Sequence, residues 1–99
     1  MDLGGRNVRT ASYREMYDLL PVAVRKAAMG AFRAFQRDPG HKGLALHEPA
    51  DTKNNRFPPG SFSARATMQF RAVARVDGDT NVWYWIGPHG LYDTMGGRR

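Results

Sequence analysis

Apolar residues recur along this chain with two different periods. Tyr13, Met16, Tyr17 and Leu20 follow one another at steps of three and four, with Arg14, Glu15 and Asp18 between them. That is the spacing of one helical face. Ser12 and Glu15 form a capping-box pattern ahead of the stripe, so the helix is expected to begin there. Pro21 stops it, and its fixed φ suits the first turn of another helix. The second helix is predicted over residues 22 to 37, with Val24, Ala28, Ala31, Phe32 and Phe35 on its apolar face and Arg25, Lys26, Arg33 and Arg37 largely off it. Helices joined this tightly form an antiparallel hairpin. Gly30, which has no side chain, offers room for the first helix to approach. Asp38-Pro39-Gly40 ends the run. A short extended piece is expected from Leu44 to His47, then an irregular surface loop over residues 51–60, rich in Asn, Gly and Pro.

Beyond residue 60 the period becomes two. Phe62 and Ala64 alternate with Ser63 and Arg65, then Phe70, Ala72, Ala74 and Val76 with Arg71, Val73 and Arg75, and Val82-Trp83-Tyr84-Trp85-Ile86 is strongly β-prone. Three consecutive antiparallel strands follow. Asp77-Gly78-Asp79 holds a two-residue hairpin turn, either Asp77-Gly78 or Gly78-Asp79. Both place Ala72 and Ala74 on the face that carries Trp83 and Trp85. Keeping Phe62 and Ala64 on that face requires an odd loop at Thr67-Met68-Gln69, because a slip of one residue exchanges the two faces. The expected architecture is α+β: a helical hairpin packed on a small antiparallel sheet of three to four strands. Residues 1–99 are read as one domain, with 1–9 a flexible or short-strand start on which little rests. The sheet's other face is expected to be open, showing Arg65, Arg71 and Arg75 beside Val73, Val82 and Tyr84 with no carboxylate on the strands to neutralise them.

Charge sharpens this picture. Fifteen Lys+Arg against nine Asp+Glu give +6, and twelve of the fifteen are Arg, whose planar fork suits phosphate. With no cysteine in the chain, disulfides, thiolate catalysis and Cys-based metal sites are excluded. A reducing cytoplasm is expected. No apolar run reaches the length of a membrane span, and the opening MDLGGRNVRT has no apolar core of a secretion signal.

Arginines side by side on a sheet repel. Either they form a solvated face, with stems laid over Val73 and Val82, or they meet an anion. Tyr84 among them fits the basic and aromatic mixture that binds single-stranded nucleic acid. His89 lies just past the last strand, as a proton carrier or an ordinary turn histidine. Tyr92 stacks on a base, donates a proton, or wedges the end of the core. His41 and His47 have no metal-ligand pattern and are read as ordinary residues.

Arg37-Asp38-Pro39-Gly40-His41, Ser63-Ala64-Arg65-Ala66, Phe70-Arg71-Ala72-Val73 and Val82-Trp83-Tyr84-Trp85-Ile86-Gly87-Pro88-His89, in this order behind a helical hairpin, resemble the RelE/ParE superfamily of bacterial type II toxins. The resemblance covers about residues 10 to 96. It implies a toxin held by a cognate antitoxin in a hetero-oligomer, and in the RelE-like branch a ribosome-dependent mRNA endonuclease needing no metal or other cofactor. Arg71 matches the arginine that contacts the scissile phosphate, His89 the basic residue after the last strand, and Tyr92 the catalytic or base-stacking tyrosine. Arg65, Arg75 and Tyr84 are then expected to bind RNA. The lysines of the RelE pattern on the strand of residues 62–66 are missing; only Arg65 stands there. The ParE-like branch, which inhibits DNA gyrase, and a non-catalytic RNA- or protein-binding relative are the alternatives.

Overall fold

The structure, a computed structural model, describes residues 3–49 and 57–97. Strand β1 (Arg6–Arg9) leads into helix α1 (Ala11–Asp18), and helix α2 (Val22–Arg37) follows. After a 3₁₀ turn at Lys42–Leu44 come β2 (Ser61–Arg65), β3 (Phe70–Asp77) and β4 (Thr80–Pro88). The short helix α3 (His89–Tyr92) then runs into a single π-helical turn, Asp93–Gly97. The sheet order is β1-β4-β3-β2, antiparallel throughout except for β1, which joins β4 in parallel. No helix of the described residues is long and apolar enough to cross a membrane.

Thr10 marks the point where β1 becomes α1. Its amide donates to the Trp83 carbonyl (2.9 Å), while its Oγ1 accepts from the amide of Tyr13 (3.1 Å). The cap therefore falls on Thr10 and not on Ser12, because the strand delivers the chain directly to the first turn. The Ser12 hydroxyl lies against Thr10 Oγ1 (2.9 Å) and the Tyr84 carbonyl (3.3 Å). Pro21 caps α2, which spans the residues its periodicity predicts. Gly30 is exposed with open space around it, so it mediates no approach of α1. The two helices are tied instead where the Tyr17 hydroxyl donates to the Arg25 carbonyl (3.0 Å).

The opening residues carry more than expected. Asn81, buried on β4, accepts from the Gly4 amide (2.8 Å) and donates to the Gly4 carbonyl (2.9 Å) and to Asn7 Oδ1 (3.0 Å). Asn7 Oδ1 also accepts from the Trp83 indole N–H (3.0 Å). A Cβ at Gly4 would come within 2.4 Å of the Asp79 carbonyl oxygen, so only glycine fits there.

Both expected hairpins form. Arg65 pairs with Arg71 and Phe62 with Ala74, the register of the three-residue loop at 67–69. Asp77 pairs with Thr80, which selects Gly78-Asp79 as the turn, with Gly78 at φ +61°. Beyond the Ala74–Trp83 pair the pairing departs from simple alternation. Ala74 faces Trp83 and Val73 faces Trp85, so Tyr84 is an extra residue in β4. Such a bulge flips every side chain beyond it. Trp83 stays under the helices, edge-on to Phe35 (5.2 Å) and Phe62 (5.3 Å), in a core with Tyr13, Ala28, Leu44, Ala64, Ala72, Ala74 and Ile86. Trp85, expected beside it, lies on the opposite face in a second cluster with Phe57, Val73 and Tyr92.

That opposite face is consequently not open. The C-terminal helical segment and Phe57 cover its end, with ring centres 5.8 Å from Phe57 to Trp85 and 5.2 Å from Phe57 to Tyr92. Phe57 belongs to the region read as surface loop, whose residues 51–56 lie outside the described residues. Of the piece expected to be extended from Leu44 to His47, Leu44 ends the 3₁₀ turn, Ala45 is left-handed (φ +46°) and only His47 pairs, with Ser63.

Candidate functional site

Arg71 organises the covered face. It points away from the hairpin, as its alternation on β3 requires, but it is only 2 % exposed where an open arginine was expected. Its Nε donates to Ser63 Oγ (3.1 Å), and its Nη2 donates to the Ala45 carbonyl (2.8 Å) and Ser63 Oγ (2.9 Å). The left-handed Ala45 turns its carbonyl towards this guanidinium. His47 Nδ1 lies 3.3 Å from the same Nη2, and the Tyr92 ring is stacked 5.5 Å from Cζ. Burial pushes the Arg71 pKa below its ordinary range; the neighbouring Tyr92 and Asp93 oppose the shift and Arg65 adds to it. The group remains a cation at neutral pH all the same. Among the described residues it has no carboxylate in ion-pair range, and Nη1 makes no hydrogen bond.

Gly87, opposite Arg71 on β4, leaves the space this packing needs. A Cβ there would press on the Trp85 ring at 2.9 Å. Beyond it, the His89 amide donates to the Gln69 carbonyl (2.7 Å), which closes the β3–β4 end and starts α3. His89 Nδ1 lies 3.0 Å from Asp93 Oδ2 one helical turn on. The carboxylate accepts from Nδ1–H and leaves Nε2 to exchange protons. The His89 side chain is 45 % exposed. Its ring is 6.2 Å from that of Tyr92, so Tyr92 stands between the imidazole and the guanidinium.

Tyr92 is 1 % exposed, with its hydroxyl 2.8 Å from His47 Nε2. Its ring is enclosed by Phe57, Trp85, His47 and Arg71, which leaves it no free face for a base. Of the readings open in the sequence, the wedge is the one this packing matches.

The expected RNA-binding group separates into two ends. Arg65, half-buried, pairs in register with Arg71 and keeps its charge near that site. Arg75 sits four residues along β3, about 13 Å away at the rise of a strand. It does have a carboxylate partner, Asp77 of the same strand at 3.6 Å, contrary to the expectation of an unneutralised face. Both groups are exposed, so the pair adds little stability. The Tyr84 hydroxyl shares a hydrogen bond with Ser61 Oγ (2.8 Å), and burial raises its pKa despite that bond and Arg75. The site thus brings together Arg71, Tyr92, His89 and Arg65, and leaves out Arg75 and Tyr84. It adds His47, Ser63 and Asp93. His89 and Asp93 are i, i+4 partners that a helix after Pro88 brings together; nothing in the spacing of His47 marks it. His41 is ordinary, its Nδ1 accepting from the Gly43 amide (3.0 Å). No cluster of three or more potential metal ligands exists among the described residues.

The chain matches no protein-family model and no curated protein sequence. Solved structures are similar to it in fold. A chain of the toxin–antitoxin complex RelBE2 from Mycobacterium tuberculosis superposes with a TM-score of 0.62 at 24% identity, covering 85% of this chain and 96% of that one. The YoeB/ParE toxin from Agrobacterium tumefaciens gives 0.62 at 21% identity, over 85% and 98% of the two chains. The archaeal RelE-RelB complex from Pyrococcus horikoshii gives 0.63 at 13% identity, over 86% and 94%. The likeness is one of fold, to the RelE and YoeB/ParE toxin structures.

Proposed function

We propose that this protein is the toxin of a type II toxin–antitoxin system and acts as a ribosome-dependent, metal-independent mRNA endonuclease that stops translation. The observation that carries this reading is a half-exposed imidazole, oriented by Asp93, on one side of Tyr92 and on its other side a buried guanidinium with no carboxylate in ion-pair range among the described residues. Such a pair suits a phosphodiester. A ribose 2′-hydroxyl attacks the adjacent phosphorus, His89 takes or gives the proton, the 5′-oxygen leaves protonated, and a 2′,3′-cyclic phosphate remains. Arg71, through its unused Nη1 donors, and Arg65 stabilise the charge that builds on the phosphorane. Tyr92 holds Arg71 in place. The partner is an antitoxin, consistent with the toxin–antitoxin complexes among the similar structures.

A second reading is favoured by the burial of Arg71 and Tyr92: a gyrase inhibitor, or a relative that binds RNA or protein without catalysis. Induced expression in a bacterium with pulse labelling separates them. Loss of protein synthesis with cut transcripts supports the endonuclease. Loss of DNA synthesis first, with intact transcripts, supports the gyrase reading, and absence of arrest removes the endonuclease and the gyrase inhibitor and leaves the non-catalytic relative.

A further inference from the structure

We propose that His47 is a positioning residue of this site: a neutral imidazole, protonated on Nε2, that holds the Arg71 guanidinium through Nδ1 and the Tyr92 phenol through Nε2. The assignment follows from counting donors. A guanidinium has N–H groups and no acceptor, and both N–H groups of Nη2 already reach the Ala45 carbonyl and Ser63 Oγ, so the His47 Nδ1 at 3.3 Å turns a bare lone pair to the cation and at most shares one of those hydrogens. An imidazolium would set N–H against N–H beside a cation. The proton therefore sits on Nε2, which among the described residues has Tyr92 Oη at 2.8 Å and Ser63 Oγ at 3.3 Å. Ser63 Oγ already accepts from Arg71 Nε and Nη2, which uses both its lone pairs. The shorter contact to Tyr92 is thus the one the geometry selects. Backbone hydrogen bonds in both directions between His47 and Ser63 (3.2 and 2.8 Å) fix the imidazole's origin against β2. One side chain thereby links β2, the cation on β3 and the helix that carries His89.

Its effect on rate rests on the proposed endonuclease; its protonation state does not. Long-range ¹H–¹⁵N spectra of the full chain at neutral pH, with the His47 signals assigned by their loss in His47→Gln, are expected to show Nε2 protonated and Nδ1 bare. The opposite tautomer, or an imidazolium, overturns the proposal. In cleavage of a ribosome-bound messenger, His47→Phe is expected to lower kcat about 10²-fold, the scale of a small misplacement of a reacting group, with KM little changed. Added to Tyr92→Phe it should lower kcat no further, because either change breaks the same link. Independent, multiplicative losses, or a loss that tracks only the folded fraction seen by circular dichroism, overturn the positioning role. If His47→Phe does not fold, the tautomer decides. A wild-type protein that cuts no messenger removes the endonuclease and likewise leaves His47 to the tautomer.

Discussion

His89 and Asp93 form a partly exposed pair of the site, which makes them direct to test. His89→Gln is expected to reduce messenger cleavage about 10²–10⁴-fold while the melting point barely moves. Toxicity that survives this change with intact transcripts counts against the endonuclease. Asp93→Ala removes the acceptor that orients the ring and should slow cleavage less than His89→Gln. A different residue reports on the core. Burial beneath the hairpin raises the Tyr13 pKa to about 12 from 10.0, against the pull of Arg9 and with a small push from Tyr17. The unfolded chain then loses its phenolic proton first as pH rises. Stability from this group is intact below pH 10 and is lost by roughly 3 kcal/mol as pH climbs through 12. Tyr13→Phe should flatten that part of a pH–melting curve; an unchanged slope contradicts the assignment. At this scale the sequence made His89, Arg71 and Tyr92 visible by their place at the end of β4 and on β3. It hid His47, because a lone histidine in a connection takes its role from whichever strand it happens to pair with.

Among the elements, the alternation on β2 and β3 was enough to read the pairing, both hairpins and the face that meets the helices. What it could not show is the extra residue at Tyr84. Val82-Trp83-Tyr84-Trp85-Ile86 is β-prone at every position, so nothing in its pattern marks where a bulge falls. The bulge sends Trp85 across the sheet to support Tyr92, and so turns an open arginine face into a covered one. Both tryptophans are therefore core residues, of different cores. Trp83→Ala is expected to cost about 3–5 kcal/mol, close to unfolding a domain of this size, while Trp85→Ala should also loosen Tyr92 and release Arg71. Urea melts of the two variants, with exchange of the Tyr92 amide as the local probe, tell these outcomes apart. The start of the chain was undervalued because Gly4 and Asn7 have no periodicity to read; their partner, Asn81, is a polar residue among β-formers. Asn81→Ala would strand the Gly4 amide and carbonyl, at about 1–3 kcal/mol for each buried group left unpaired, while Asn81→Asp would keep the acceptor but lose both donated bonds.

For the molecule as a whole, a net charge of +6 governs encounters before any specific contact forms. An acidic antitoxin is expected to associate quickly, with an on-rate that falls steeply as salt rises. An on-rate indifferent to salt would place the contact on an apolar surface instead. The parallel pairing of β1 with β4 sets the order in which the molecule forms. The Gly4–Asn81 hydrogen bond spans 77 residues, whereas β2, β3 and β4 meet through short turns. Closing so long a loop is the slow part of assembly, so β1 docks late, on a sheet already built. Gly4→Ala and Asn81→Ala should then speed unfolding and leave the folding rate nearly untouched. On the ribosome, β1 must wait for β4 to emerge. The sheet is thus complete only once β4 has been made, and a fragment released before that point would lack the strand with which both β1 and β3 pair.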